Sequence, residues 1–328
     1  MNPYAAAARF RRRFYAGHPD RQRRLARPVV SIGNIAAGGR AKTPLVARVA
    51  ALLRDAGERP SILSRGYARQ DPDAGVVVVR DPDGIRADLA RAGDEPLMLA
   101  RQLEGVAVLV CRDRHTAGRL AERHFGCTVH VLDDGFQHLT LHRDVDVVLV
   151  AREDLDRPLT FPRGRLREPL EALGDADAIV ALDGVDVRRL GASGPVFAGR
   201  RVMEPPRIVD AEPGQDAAQG AAVAVAGIAH PDQFFAGLRA MGWPVARELA
   251  YRDHHAYTRQ DVRRILDVAH QQGAGVVVTT EKDLVRLLPF RPLGVHLAVA
   301  PFTVAMEDES GFARWLADRL LRAREGAA

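Results

Sequence analysis

The chain has 328 residues, 47 of them Lys or Arg and 42 Asp or Glu, with a formal net charge of +5. Its 47% hydrophobic and 27% charged content excludes wholesale disorder, no apolar run reaches the ~20 residues of a membrane-spanning helix, and the N-terminus lacks a secretory signal. Cys111 and Cys127 are the only cysteines, which excludes a disulfide framework or a zinc–cysteine site and favours a reducing compartment.

The basic residues are almost all arginine: Lys42 and Lys282 are the only lysines. Arginine can stand for lysine at a solvated surface, but not where a compact ammonium is needed, so both positions are candidates for chemistry. Charge is also uneven. Residues 1–28 carry Arg9, Arg11, Arg12, Arg13, Arg21, Arg23, Arg24 and Arg27 against Asp20 alone, so the rest of the chain is close to neutral. If residues 3–15 are helical, Tyr4, Ala7, Phe10 and Phe14 share a face. A basic helix with an aromatic face suits an anionic membrane surface; the plainer alternative is an arginine arm packing aromatics onto the core. No basic stripe with interleaved aromatics follows, so nucleic acid is not an expected partner.

Apolar, β-branched runs then alternate with helical patterns. Strands are expected at Pro28–Ile32, Ser61–Leu63, Gly75–Val79, Val106–Cys111, Thr128–Leu132, Val145–Val150 and Ala178–Ala181. Helices are expected at Pro44–Ala56, Glu95–Leu103 and His115–His124. Continuous apolar strands separated by helices indicate a parallel sheet covered on both faces. A Pro/Gly-rich stretch around 205–220 reads as a linker. A second, smaller α/β pattern follows, with strands at Ala222–Ala226, Gly275–Thr279 and Val295–Ala300 and helices at Asp232–Met241, Arg259–Gln272 and Gly311–Arg322.

Six segments carry candidate chemistry. After the first strand, Gly33 to Pro44 reads GNIAAGGRAKTP, the strand, glycine-rich turn, Lys-Thr and helix of a P-loop. Backbone N–H groups around Gly38, Gly39, Arg40 and Ala41 would cradle phosphate, with Lys42 on the terminal phosphates and Thr43 on Mg²⁺. Ala36 and Ala41 stand where the pattern has glycine, and a left-handed backbone at Ala41 would be penalised. The alternative is a glycine turn capped by Thr43. Asp133 and Asp134 close an apolar strand, as a carboxylate offered to a metal does, or as Asp-Gly turn chemistry. Asp94 and Glu95 open a helix, either as capping carboxylates or as a base for a hydroxyl and a group facing the metal. Asp253, His254 and His255 suit a His–carboxylate pair for proton transfer, or a surface. Thr279–Asp283 holds Lys282, as a buried ion pair, a polar turn or a charge facing a cleft. Arg163, Arg165 and Arg167 before Glu168 suit a phosphate-contacting loop or a solvated one.

Together the pieces VVSIGNIAAGGRAKTP, ILSRGY, GDEPLMLA, VLDDGFQH, RGRLREP, GIAHPDQFF, DHHAYT and VVTTEKD, in this order from residue 29 to 283, resemble the tetraacyldisaccharide 4'-kinase (lipid A 4'-kinase) family. The resemblance implies ATP-dependent phosphorylation of the 4'-hydroxyl of a tetraacyldisaccharide 1-phosphate to give lipid IVA, with Mg²⁺. It implies a basic amphipathic segment (1–28), a P-loop NTPase-like kinase domain (29–204), a linker (205–220) and a C-terminal α/β domain (221–328), with the active site between the domains. It further implies peripheral docking of the N-terminal helix at the cytoplasmic face of the inner membrane, and no obligate protein partner. By motif, Lys42 would meet the β/γ-phosphates, Thr43, Asp133, Asp134 and Glu95 the metal and transfer centre, and Arg167 and Glu168 the nucleotide end. Asp94 would be the base for the sugar hydroxyl, supported by His254. The chain departs from the family pattern at Arg40 and Ala41 in the loop, Ala68 after ILSRGY, and Arg165. Two other classes remain. A deviant P-loop ATPase or GTPase switch would carry a signature lysine where Ala37 stands. A nucleotide-binding module with weakened catalysis would follow if Ala41 spoils the loop.

Overall fold

The computed structural model describes residues 2–38, 41–67, 69–71, 73–186, 190–212 and 220–326. Gly39, Arg40 and Ala68, and residues 213–219 of the expected linker, lie outside the described residues. The chain divides into two units, one of residues 1–201 with 304–328 and one of residues 202–303.

In the first unit, helix α1 (Pro3–Gly17) precedes β1 (Val29–Asn34), α2 (Lys42–Asp55), β2 (Pro60–Ser64), β3 (Val77–Asp81) and β4 (Gly84–Ile85). Next come α3 (Leu89–Ala92), α4 (Asp94–Gln102), β5 (Ala107–Val110), α5 (Arg114–Phe125), β6 (Val129–Asp133) and β7 (Val145–Val150). Helix α6 (Arg152–Asp156), β8 (Ala178–Leu182) and β9 (Val196–Met203) complete this run. The second unit supplies β10 (Arg207–Asp210), β11 (Ala221–Ala226), α7 (Pro231–Ala240), β12 (Val245–Ala250), α8 (Arg259–Gln271), β13 (Ala274–Thr280), α9 (Glu281–Leu287) and β14 (His296–Ala300). Strand β15 (Phe302–Met306) and helix α10 (Glu309–Glu325) end the chain.

The ten-stranded sheet runs β15-β9-β8-β7-β1-β6-β2-β5-β3-β4. From β9 to β5 neighbouring strands are parallel, and β3 and β4 add an antiparallel edge. Strands β1, β6 and β7 are buried along their whole length, which is why they read as continuous apolar runs. Helix α2 buries Leu45, Val46, Val49, Ala50 and Leu53, one stripe at helical spacing. In the register of the sheet, Ile32 of β1 pairs with Asp133 of β6, so the carboxyl ends of these adjacent strands coincide. That edge is where open α/β sheets present their sites.

The second unit is a five-stranded sheet ordered β10-β14-β13-β11-β12, parallel except for β10. Alternation sorts its side chains. Val223 and Val225 face the layer of α8, with Val262, Ile265 and Ala269, while Ala222, Ala224 and Ala226 face α7. The small alanines leave room for Phe234 and Phe235.

Two boundaries differ from expectation. The last helix leaves the C-terminal domain and belongs to the first unit. There it buries Phe312, Leu316 and Leu320, about 1.5–3 kcal/mol each, and pairs Arg319 with Asp177 and Arg324 with Glu58. Part of the expected linker is a strand, since Arg207–Asp210 pairs with β14. Strand β9 and the edge strands β12 and β15 escape sequence reading because they mix exposed and buried positions and carry no continuous apolar run.

The basic N-terminal segment is stitched to the first unit. Arg23 exchanges backbone hydrogen bonds with Thr140 and His142 and grips Asp113 with both terminal nitrogens, at 2.6 and 2.8 Å. Its aromatic face stays open: Phe10 is 73% exposed, and Tyr4 and Phe14 are exposed as well. Among the described residues no helix is long and apolar enough to cross a membrane.

Candidate active site

The site is built where β1 ends. The chain leaves the sheet through Asn34, Ile35 and Ala36, all buried, and turns at Gly38 with φ of +109°. A side chain there would also strike the Arg165 guanidinium, 2.6 Å from an ideal Cβ. Helix α2 begins at Lys42, and its cap, Ala41, has φ of 60° and ψ of 19°, the left-handed region that costs a residue with a Cβ. Thr43 is buried in the first turn and is not the cap. Loop, left-handed cap and helix start leave the first N–H groups of α2 without helical carbonyl partners, the feature that makes such a turn an anion cradle.

Lys42 turns back over this loop. Its Nζ donates to Gly38 O at 3.0 Å and to Asn34 Oδ1 at 3.3 Å, and lies 3.6 Å from Asp134 Oδ1. The ammonium is thus held between the loop and a carboxylate.

Asp133 is the last residue of β6 and is buried. Ser64, ending β2, donates its hydroxyl to Asp133 Oδ2 at 3.1 Å. Burial, then the negative charges of Glu95 and Asp134, push the Asp133 carboxyl up to about 7, against the opposing pull of Lys42 and Ser64. Asp134 begins the following turn, with φ of 55°. Burial pushes it up too, but Arg167 and the charge of Lys42 outweigh burial and hold it at about 2. Arg167 binds both its oxygens, at 2.7 and 2.8 Å, and Asn34 Oδ1 at 2.5 Å. Two adjacent aspartates therefore differ sharply in proton affinity.

The Asp134 turn fits because Gly33 of β1 has no side chain; a Cβ there would lie 2.5 Å from Phe136 Cβ. Gly135 N donates to Ile32 O at 3.0 Å, and Gln137 Nε2 to Asn34 O at 2.9 Å, closing the turn onto β1.

The Arg165–Glu168 segment lies along the loop after β1. Ala37 N donates to Arg165 O at 2.7 Å, and Arg167 N to Ile35 O at 2.6 Å. The alternating arginines divide their work: Arg165 bonds Ala37 O, and Arg167 enters the site. Glu168 is buried in a two-bond pair with Arg12 of α1, at 2.6 and 2.8 Å.

Asp94 and Glu95 open α4, with Asp94 buried and its Oδ1 accepting from Glu95 N at 2.9 Å. Glu95 is close enough for its charge to act on Asp133. In the first unit the structure thus gathers Lys42, Asp133, Asp134, Glu95 and Arg167.

His254 belongs to the second unit. Its backbone φ is 56°, its N–H donates to Gly227 O at 3.2 Å, and its Nδ1 lies 3.2 Å from Arg286 Nη2. The hub here is Asp283 of the TTEKD piece. This fully buried carboxylate accepts from Gly227 N, the Thr280 hydroxyl, the Tyr257 hydroxyl and Arg286 Nη1, at 2.7 to 3.1 Å. It ties the GIAH and DHH pieces together and fixes the turn that carries His254.

Sequence reading missed Asn34, Ser64 and Arg114. Asn34 and Ser64 sit at strand ends inside the VVSIGNIAAGGRAKTP and ILSRGY pieces, where nothing marks their own side chains as site groups. Arg114, buried at the start of α5, has its charge in the field of Asp133 and Asp134. Its strand–turn–helix setting after β5 mirrors that of Lys42, the one clue available.

No cage of three or more His, Cys, Asp or Glu side chains forms among the described residues. Mg²⁺ bound with phosphates needs only one or two carboxylates and a hydroxyl. A buried Asp133 beside the charges of Glu95 and Asp134 is a donor set that a cation would relieve, so the residues fit Mg²⁺.

The family model for LpxK, tetraacyldisaccharide-1-P 4'-kinase, matches residues 2–321. The tetraacyldisaccharide 4'-kinase of Geobacter metallireducens is 38% identical over 298 residues, covering 88% of this chain and 86% of the relative. That of Anaeromyxobacter dehalogenans is 41% identical over 303 residues, covering 88% and 79%. Among solved structures, LpxK from Aquifex aeolicus in complex with ATP matches with a TM-score of 0.80 and 29% identity, over 97% of this chain and 96% of that one.

Proposed function

The chain belongs to the tetraacyldisaccharide-1-P 4'-kinase family, and we propose that its Lys42–Asp133–Asp134–Arg167 centre serves transfer of the γ-phosphoryl group of ATP to the 4'-hydroxyl of an acylated glucosamine disaccharide 1-phosphate, giving lipid IVA. The observation that carries this reading is the Lys42 ammonium held against Asp134 at the carboxyl ends of β1 and β6, over the start of α2.

The chemistry demands alignment and charge neutralisation more than covalent help. The N–H groups at the start of α2, with the loop through Gly38, Gly39, Arg40 and Ala41, receive the phosphate chain. Lys42 leaves Gly38 O for the β/γ-phosphate oxygens. Thr43, Asp133, Asp134 and Glu95 would hold Mg²⁺, which would supply charge neutralisation at the phosphate chain. Arg167 keeps Asp134 ionised and oriented, and Glu168 anchors the same segment. The sugar 4'-oxygen loses its proton to the Asp94 carboxylate, forms a bond to the γ-phosphorus, and the bond from that phosphorus to the β-bridging oxygen breaks, releasing ADP. In the second unit, His254, held by Arg286 and the Asp283 hub, is the candidate group for proton transfer.

We further infer peripheral contact with the cytoplasmic face of the inner membrane. Support comes from the exposed Tyr4, Phe10 and Phe14 of α1, beside an exposed Leu159 and Phe161; the Tyr4 and Phe161 rings lie 5.8 Å apart. Aromatic side chains ringed by arginines suit an anionic lipid interface.

The test is direct. Purified protein with Mg-ATP and acylated disaccharide 1-phosphate forms 4'-phosphorylated product, and Asp94→Asn abolishes it while leaving ATP binding intact. No product from the wild-type chain would sink the reading.

A further inference from the structure

We propose that Arg12 is a positioning residue for phosphoryl transfer: it satisfies Glu168, so that Arg167 stays on Asp134, and it thereby ties the N-terminal helix to the phosphate centre. The inference rests on the site reading above.

Glu168 is 5% exposed, and a carboxylate so buried requires a cation or several donors. Arg12 supplies a fork, Nε to Oε2 at 2.6 Å and Nη2 to Oε1 at 2.8 Å. The same guanidinium lies 4.0 Å over the Phe136 ring and donates to Phe136 O at 3.3 Å; its Nε is also 3.5 Å from Asp175 Oδ2. Phe136 is two residues beyond Asp134, and Glu168 is next to Arg167. One side chain of α1 therefore touches both segments whose meeting forms the Arg167–Asp134 pair. Its neighbours add to the tie: Arg11 donates to Gln137 O at 3.1 Å, and Arg9 pairs with Glu171 at 3.2 Å.

Without Arg12, Glu168 becomes a buried anion with its partner gone. Arg143 and Arg167 both lie in the field of Glu168; Arg143 is bound to both oxygens of Asp146, and Arg167, adjacent in sequence, is the replacement drawn across. Turning to Glu168 takes it off Asp134 and Asn34 and spoils the transfer centre. Lysine at position 12 keeps the charge but loses the fork and the flat contact with Phe136.

The experiment is a double-mutant cycle on the full chain, with substrate in detergent micelles so that lipid-surface docking is not read. Turnover is measured beside calorimetric affinity for ATP in the absence of lipid. Arg12→Ala lowers kcat about tenfold or more, in the range of a lost charged hydrogen bond, with little change in KM for the lipid. Arg12→Lys falls between. In an Arg167→Ala background the further loss from Arg12→Ala is under about twofold, because the two act through one pair. Thermal denaturation checks folding, and if Arg12→Ala does not fold the cycle runs with Arg12→Lys. Wild-type kcat and ATP affinity in the Arg12 variants, or equal losses in both backgrounds, overturn the inference alone. Wild-type kcat in Arg167→Ala overturns the site reading and the inference with it.

Discussion

Arg167 grips both carboxylate oxygens of Asp134, at 2.7 and 2.8 Å, from a segment 33 residues further along the chain. The fork fixes the orientation of the carboxylate as well as its charge, which a point charge does not do. Arg167→Lys therefore recovers only part of the activity lost in Arg167→Ala. The alanine loss should reach about 10- to 100-fold in kcat, the range of a charged hydrogen bond. Steady-state kinetics at saturating ATP checks this, and equal kcat in both variants would contradict the role of the fork.

Ala41 holds a left-handed backbone at the cap of α2. Such a conformation costs a residue with a Cβ about 1–2 kcal/mol relative to glycine. Ala41→Gly should raise Tm by roughly 2 °C or more and tighten ATP binding, while Ala41→Val lowers both. Calorimetric unfolding and ATP titration read the two effects. An unchanged Tm in Ala41→Gly would show that the loop carries no strain there.

Asp133 must lose its proton to serve a cation, and its carboxyl is pushed up to about 7 by burial and by Glu95 and Asp134. Mg-ATP affinity should therefore rise as pH increases from about 6 to 8, with proton release on binding. Without ligand the sign reverses. A carboxyl whose folded value lies above its unfolded one stabilises fully below the unfolded value, and that contribution is lost as pH climbs through about 7. Titration calorimetry in buffers of different ionisation enthalpy measures the released proton. A flat affinity across this range would contradict the assignment.

His138, in the turn after Asp134, is driven down to about 3 by burial and by the charges of Arg114 and Arg143. The unfolded chain binds its proton near pH 6.5, so stability falls as pH drops from about 6.5 toward 3. His138→Gln should flatten that part of the stability curve. Denaturant unfolding at several pH values gives the slope, and an identical slope in the variant would remove His138 from the account.

Phe10 is 73% exposed and Phe161 is 56% exposed. Replacing both with serine should leave Tm within about 1 °C, because neither supports the core. Sedimentation with anionic vesicles should lose most of the bound fraction, and neutral vesicles should bind the wild-type chain weakly. Undiminished sedimentation of the double variant would place the contact elsewhere.

Lys42, Asp133 and Asp134 were legible because strand, turn and helix are local, and their periodicity and glycine content are written in consecutive residues. The parallel core strands were legible for the same reason. The Arg12–Glu168 pair was not, because 156 residues separate its members in an arginine-rich chain where every carboxylate has many possible partners. The buried ion pair offered for the Thr279–Asp283 segment is local, with Thr280 capping α9 and Arg286 on it; the hub was hidden because its other donors, Gly227 and Tyr257, come from distant segments. Ser64 and Asn34 became site residues only through the register that sets β2 and β1 beside β6. Strands β9 and β15 were obscured by their mixture of exposed and buried side chains.

The return of α10 to the first unit has a consequence for synthesis. Residues 202–303 leave the ribosome before residues 304–328, and the smaller unit draws its sheet entirely from the earlier stretch. The larger unit is complete only once Phe312, Leu316 and Leu320 of α10 reach their seat, so its folding waits for a stretch that lies beyond the whole of the smaller unit in sequence.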